Sequence, residues 1–303
     1  MSRVDEARYR EAEKALFAAL EVSPEEIWVD TPSARLRLLA VGQGPPVLFV
    51  HGSPNASPTW LPLVASLGRR ALLLERPGAG LSAPATWRDY RPQVVAMLEA
   101  VLDALGLEQV DVVGSSFGGL YAYYLALDAP GRVRKLVQMS GPAGPLSVPM
   151  PSIFRLLCLL PLVPFAARLA PRPDVAGAMD MFREIGHGPA IDSGRMHPAW
   201  FPWYSALLRH TDTVEHLARE VRALVNPLGY RSGRGITDAE LSRIQSRLLY
   251  LWGNDDPFGG AETGRALAAL TPGACIEHFA GMGHIPWMDD PERIAGRLNA
   301  FLD

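Results

Sequence analysis

Short apolar runs, several of them ending in glycine, alternate along this chain with helical stretches, and that alternation limits its architecture more than any other feature. Residues 36–41, 46–50, 71–74, 110–113, 133–139, 247–252 and 274–279 read as strands. Between and around them, 5–21, 90–105, 120–127, 262–270 and 291–302 carry helical spacing, the last opening on a proline where a missing N–H costs little. Strands that alternate with helices imply a mostly parallel sheet covered on both faces, an α/β fold. The alternation stops between about 145 and 244, a proline-rich, helix-like stretch that includes Phe154, Phe165, Phe182, Trp200, Phe201, Trp203 and Tyr204. It lies between two strand candidates, so it reads as an insertion closing over one end of the sheet. The expected organisation is an N-terminal helical extension (1–24), a core (25–145 and 245–303) and a helical cap (146–244).

Composition narrows the function classes. At 303 residues the chain suits two domains, or one large domain with an insertion. Hydrophobic residues make up 48% and charged residues 20%, which excludes wholesale disorder. The net charge of -3 and scattered basic residues argue against a nucleic-acid surface. Two cysteines, Cys158 and Cys275, cannot build a disulfide framework, so a reducing cytoplasm is expected. The most lipid-like run, 156–167, contains Pro161 and Pro164 between Arg155 and Arg168. It is too short to span a bilayer and reads as a pair of broken, half-buried helices, with no stable membrane insertion.

The strongest chemical signal is Gly114-Ser115-Ser116-Phe117-Gly118, followed by Gly119, placed after the 110–113 strand and before the 120–127 helix. A serine at such a turn is held in a strained backbone conformation with its hydroxyl above the sheet. The glycines are needed because side chains there would collide with neighbouring backbone. A serine hydroxyl is a poor nucleophile until a base removes its proton, and the base needs an acid to orient it.

With these residues the chain resembles the α/β-hydrolase fold family, specifically its serine hydrolases with an inserted cap. The resemblance covers about 25–145 and 245–303. Two further motifs carry it: His51-Gly52-Ser53-Pro54 at the end of the 46–50 strand, and Glu75-Arg76-Pro77-Gly78-Ala79-Gly80-Leu81-Ser82, where family members more often have aspartate at the position of Glu75. The resemblance implies the order serine, acid, histidine. Ser116 matches the nucleophile, Asp256 in Gly253-Asn254-Asp255-Asp256-Pro257 the acid, and His284 in Gly283-His284-Ile285-Pro286 the base. The family register selects Asp256 over Asp255, which is expected to face solvent or cap the following helix. The backbone N–H groups of Ser53 and Phe117 match the oxyanion hole. No metal or organic cofactor is implied.

The remaining histidines read as structural. His51 is expected to hydrogen-bond nearby backbone, and His278 to sit half-exposed on a strand. His187, His197, His210 and His216 lack metal-ligand spacing and suit surface or pocket polarity. Gly78, Gly80 and Ala83 mimic a dinucleotide fingerprint, but Pro84 follows and no helix opens there. The expected activity is hydrolysis of a small-molecule ester with a mostly apolar acyl or alcohol group, with Trp200 and Trp203 facing the substrate. Serine at 116 argues against the aspartate-nucleophile dehalogenases and epoxide hydrolases of this fold. The alternatives are carbon–carbon hydrolysis of meta-cleavage-type diketones, aminopeptidase chemistry with Glu184 and Asp180 holding an amine, and a non-turnover ligand-binding protein.

Overall fold

Apolar side chains on both sides of a strand force it into the middle of a layered structure, and the central strands here have that character. The chain, described by a computed structural model over residues 4–141, 144–148, 158 and 171–303, builds its strands as β1 (Glu25–Asp30), β2 (Arg35–Val41), β3 (Pro46–Val50), β4 (Arg70–Leu74), β5 (Val110–Ser115), β6 (Val133–Met139), β7 (Val225–Asn226), β8 (Gly229–Tyr230), β9 (Arg247–Gly253) and β10 (Cys275–Phe279). Among the described residues, an eight-stranded sheet has the order β1-β2-β4-β3-β5-β6-β9-β10. Pairing is antiparallel at β1/β2 and β2/β4, and parallel from β4 onward. The mostly parallel α/β fold expected from the sequence is therefore present.

Side chains alternate across each strand, so β3 sends Val47 and Phe49 to one core and Leu48 and Val50 to the other, all four fully buried. The helices Tyr90–Ala104 and Phe117–Asp128 cover the second face with Val94, Leu98, Val101 and Leu120. The helices Glu6–Ala19 and Pro291–Leu302 cover the first with Tyr9, Leu16, Ile294 and Leu298. The inserted helix Trp200–His210 joins that first core through Trp200, Trp203 and Leu207. The N-terminal helix is tied to it as well, because Asp5 N–H donates to His210 O at 2.9 Å.

Strand β1 carries no clear apolar signal in the sequence: it is an edge strand, largely exposed, whose charged residues hide it. Two local expectations are corrected. The helix expected at 120–127 begins at Phe117, directly after Ser116. The insertion is not purely helical, since β7 and β8 form a small antiparallel hairpin within it. The broken helices expected at 156–167 fall, apart from Cys158, outside the described residues. No helix among the described residues is long and apolar enough to cross a membrane.

Register fixes where chemistry can occur. Val50 pairs with Gly114, Ser115 with Met139, Met139 with Leu251, and Gly253 with Phe279. The carboxyl ends of β3, β5, β6, β9 and β10 thus share one edge of the sheet. The loops leaving that edge carry Ser53, Ser116, Asp256 and His284, where open α/β sheets place their ligand crevices.

Candidate active site

The turn after β5 is shaped by close backbone approach. Ser116 has φ 51° and ψ -119°, a left-handed value that a residue with a side chain adopts only under constraint. Here the constraint is packing: a Cβ on Gly118 would stand 1.9 Å from Val50 O, and one on Gly52 would stand 2.9 Å from Ser116 Cβ. Only glycines let β3, its following loop and the turn meet so closely. Phe117 opens the helix, so its N–H belongs to the first turn, where donors face out along the axis and the dipole is positive.

Asp256 and His284 meet across 28 residues of sequence, with Asp256 Oδ2 2.9 Å from His284 Nδ1. Asp256 Oδ2 also accepts from Gly141 N–H at 3.0 Å, and Oδ1 from Phe258 N–H at 2.9 Å. Burial alone would raise the Asp256 pKa. The adjacent imidazole and these N–H donors outweigh it and hold the carboxyl below its ordinary value. An ionised carboxylate can only accept, so Nδ1 carries a proton directed at Asp256 Oδ2, and Nε2 is the ring nitrogen turned away from the acid. Asp255, by contrast, is exposed. Its expected alternative role as a helix cap does not occur, since Gly260 occupies the N-cap of Ala261–Leu270 and no side chain caps it.

The loop after β3 is fastened from two sides. His51 is fully buried, donates from Nδ1 to Gly52 O at 2.7 Å and accepts Arg76 N–H at Nε2 over 3.1 Å. Burial, and then Arg76, push its pKa well down, which suits the structural role expected of it. Arg76 donates to Gly52 O at 3.2 Å and to Ser53 Oγ, and its guanidinium lies 5.4 Å from the centre of the Phe117 ring. It therefore contacts both residues expected to form the oxyanion hole. Its other nitrogen donates to buried Glu220 Oε2 at 2.8 Å, while Tyr90 and Tyr121 donate their hydroxyls to Glu220 Oε1 at 2.7 and 2.6 Å. Glu220 belongs to the inserted helix Thr213–Leu224, where no sequence motif marks it.

A sequence profile of the alpha/beta hydrolase family matches residues 47–297. The chain belongs to this family. Among its relatives, a 2-hydroxy-6-oxononadienedioate/2-hydroxy-6-oxononatrienedioate hydrolase of Pseudomonas putida is 32% identical over 78% of this chain and 80% of its own. A hydrolase with the same substrates from Dechloromonas aromatica is 30% identical over 84% of this chain and 86% of its own. In structure, naproxen esterase of Bacillus subtilis superposes with a TM-score of 0.77 at 21% identity, covering 99% of both chains.

In this alpha/beta hydrolase a cavity of about 210 Å³ opens over the strand ends, and Ser53, Ser116 and His284 line it. The insertion supplies Met181, Phe182, Glu184, Ile185 and Tyr204. Phe258, a residue not singled out from the sequence, packs edge-on against the His284 ring at 4.7 Å. Trp200 and Trp203 correct the sequence reading, because neither lines the cavity. They pack against each other with ring centres 4.5 Å apart, behind Phe182 and Tyr204, and are almost completely buried. Aromatics of this size more often fill a core than touch a ligand. Glu184 reaches the cavity, whereas Asp180 is exposed and does not line it. His187, read as surface or pocket polarity, is fully buried against Asp289. Among the described residues no cluster of three metal-ligating side chains occurs.

Proposed function

We propose that this hydrolase cleaves a carboxylic ester with a mostly apolar acyl or alcohol group through an acyl-enzyme, with the 146–244 insertion as its cap. Ser116 Oγ attacks the carbonyl carbon as His284 Nε2 takes its proton. The oxyanion accepts from the Ser53 and Phe117 N–H groups. Collapse expels the alcohol, which receives the proton from His284, and water repeats the sequence to release the acid. Asp256 keeps the proton on Nδ1, so that Nε2 is always the basic nitrogen.

The observation that carries this reading is the 2.9 Å contact between His284 and Asp256, in a histidine that shares its cavity with a strained serine. The apolar lining from Met181, Phe182, Ile185 and Phe258 suits a hydrocarbon substituent.

A second reading, carbon–carbon hydrolysis of a meta-cleavage-type diketone, is favoured by the curated relatives. The same base and oxyanion donors serve it, with a ketone as the carbon attacked. The names of those relatives' substrates denote dicarboxylates. The described lining of this cavity includes the carboxylate Glu184, whose charge would repel a substrate carboxylate placed beside it. Measuring kcat/KM side by side for p-nitrophenyl acetate, butyrate and octanoate and for a 2-hydroxy-6-oxo-dienedioate separates the readings. Many turnovers on butyrate with little on the dioate support ester cleavage, and the reverse ranking supports the diketone. A single turnover on every compound overturns both.

A further inference from the structure

The loop that carries His284 is held by contacts from outside the sheet. Three consecutive N–H groups in it each donate a hydrogen bond. Gly283 donates to Asp289 Oδ2 at 2.9 Å, His284 to Ile185 O at 2.9 Å, and Ile285 to His187 Nε2 at 3.1 Å. Two of these acceptors, Ile185 and His187, belong to the insertion, in a kinked turn spanning Arg183–His187. The fourth contact closes the set: His187 Nδ1 lies 2.9 Å from Asp289 Oδ2, with both side chains fully buried. A backbone N–H can only donate, so His187 Nε2 must accept, and Nδ1 carries the proton toward Asp289. The chain thus holds a second histidine–aspartate pair, sealed from solvent, beside the one that faces the cavity.

The turn that presents this pair is made to fit. Gly186 has φ 95°, and a Cβ there would lie 2.5 Å from Asp255 O and 2.8 Å from Gly283 Cα. A Cβ on Gly283 would lie 2.5 Å from Ile185 O. Segment 185–187 therefore threads between the loop bearing Asp256 and the loop bearing His284. Ile185 (φ -99°, ψ 22°) and Gly186 (φ 95°, ψ 9°) leave helical geometry there, so the turn is a kink between two short helices. Glu184 and Ile185, immediately before Gly186, line the substrate cavity.

We infer that His187 and Asp289 form a positioning pair, which fixes the backbone of His284 so that its imidazole stays aligned between Asp256 and Ser116. The inference rests on the proposed serine-hydrolase reading. Neither residue touches substrate. His187 acts through Ile285 N–H, and Asp289 acts through Gly283 N–H while holding the His187 ring in place. Because His187 belongs to the insertion, alignment of the base depends on the insertion being seated, and whatever occupies the cavity beside Ile185 bears on the same turn.

The test uses the full chain with His187→Ala, His187→Gln and Asp289→Asn. Each is assayed for kcat and KM on p-nitrophenyl butyrate, for the rate of Ser116 labelling by a fluorophosphonate, and for Tm. A misaligned base slows chemistry without changing ground-state binding. His187→Ala should lower kcat and the labelling rate together by about 10- to 100-fold while KM moves by less than about threefold. In His187→Gln a side-chain carbonyl can accept Ile285 N–H, and at least a fivefold recovery of rate, roughly judged, should follow. Should the alanine variant fail to fold, Asp289→Asn and His187→Gln carry the comparison with wild type. A fall in Tm with kcat and labelling unchanged in the folded variants makes the pair merely structural and overturns the inference, leaving the serine-hydrolase reading intact. A wild-type protein that is not labelled at Ser116 removes that reading, and this inference with it.

Discussion

On the sheet side of the site, Ser116, which lines the cavity, and Asp256, which does not, stand where backbone geometry puts them, at the ends of β5 and β9 and in turns that neighbouring backbone constrains. The insertion wall is held differently. Of its lining residues, Tyr204 is tethered by its hydroxyl to Pro54 O at 3.0 Å and Ile185 through its own carbonyl to His284 N–H, while Glu220, which does not line the cavity, is held by Arg76 and two tyrosines. The sheet wall is therefore rigid by topology, and the insertion wall by buried polar contacts made across long stretches of chain. The difference teaches which wall should tolerate change. Substitutions on the sheet wall should stop chemistry without unfolding the protein. On the insertion wall they should trade stability or selectivity, except where a residue reaches back to the histidine loop.

The largest effect should come from Ser116→Ala, which should lose about six orders of magnitude in kcat, as nucleophile removal does in serine hydrolases. Circular dichroism and Tm should stay close to wild type. Ser115→Ala is the internal control and should retain most activity, because Ser115 ends the strand and Ser116 alone occupies the strained turn. The opposite pattern in an ester assay moves the nucleophile by one residue.

Next in size is the acid. Asp256→Asn should cost on the order of 10⁴ in kcat, because an amide can donate to Nδ1 and hold the imidazole in the wrong tautomer. Asp255→Asn, exposed and remote from that tautomer, should cost about tenfold or less. Comparable losses in both, or a larger loss at Asp255, would show that the register assigned along this turn is wrong.

Within the insertion, Glu220→Ala should destabilise by about 3–5 kcal/mol, because it leaves the buried Arg76 charge without its partner. Urea unfolding measures that cost, and kcat in the remaining folded fraction shows whether the loop carrying Ser53 has also shifted. A change below about 0.5 kcal/mol would mean that this anchor is solvated and the comparison between the walls is wrong there.

Selectivity effects should be smallest. Trp203→Ala should lower stability by about 3–5 kcal/mol as a core truncation, yet leave the ratio of rates on short and long esters unchanged. Met181→Ala, at the cavity, should alter that ratio by several-fold, roughly the worth of a methylene or two in an apolar pocket. If Trp203→Ala moves the ratio and Met181→Ala does not, the assignment of lining and packing residues is reversed.

How much was legible in the sequence follows the same division. The strand ends and the turn at Ser116 write themselves locally, as an apolar run, a pair of glycines and a helix, so neighbouring residues suffice to read them. Asp256 needed only a register along one loop. His187 has no local signature, because its partner Asp289 lies 102 residues away and the intervening sequence does not announce the pairing. Arg76 and Glu220 are separated by 144 residues, and a glutamate on a charged amphipathic helix looks solvated until its tyrosine partners are in place. Trp200 and Trp203 misled for the opposite reason: their size suits a substrate wall and a core equally, and only packing decides. Strand β1 is illegible in the sequence because an edge strand can be polar and still pair.

Mapping a fluorophosphonate adduct by mass spectrometry on the wild-type chain and on Ser116→Ala tests the central claim most directly. One adduct per chain, located on Ser116 and absent from the alanine variant, is the expected result. An adduct on Ser115, or equal labelling of both proteins, would contradict the assignment of Ser116 as the nucleophile.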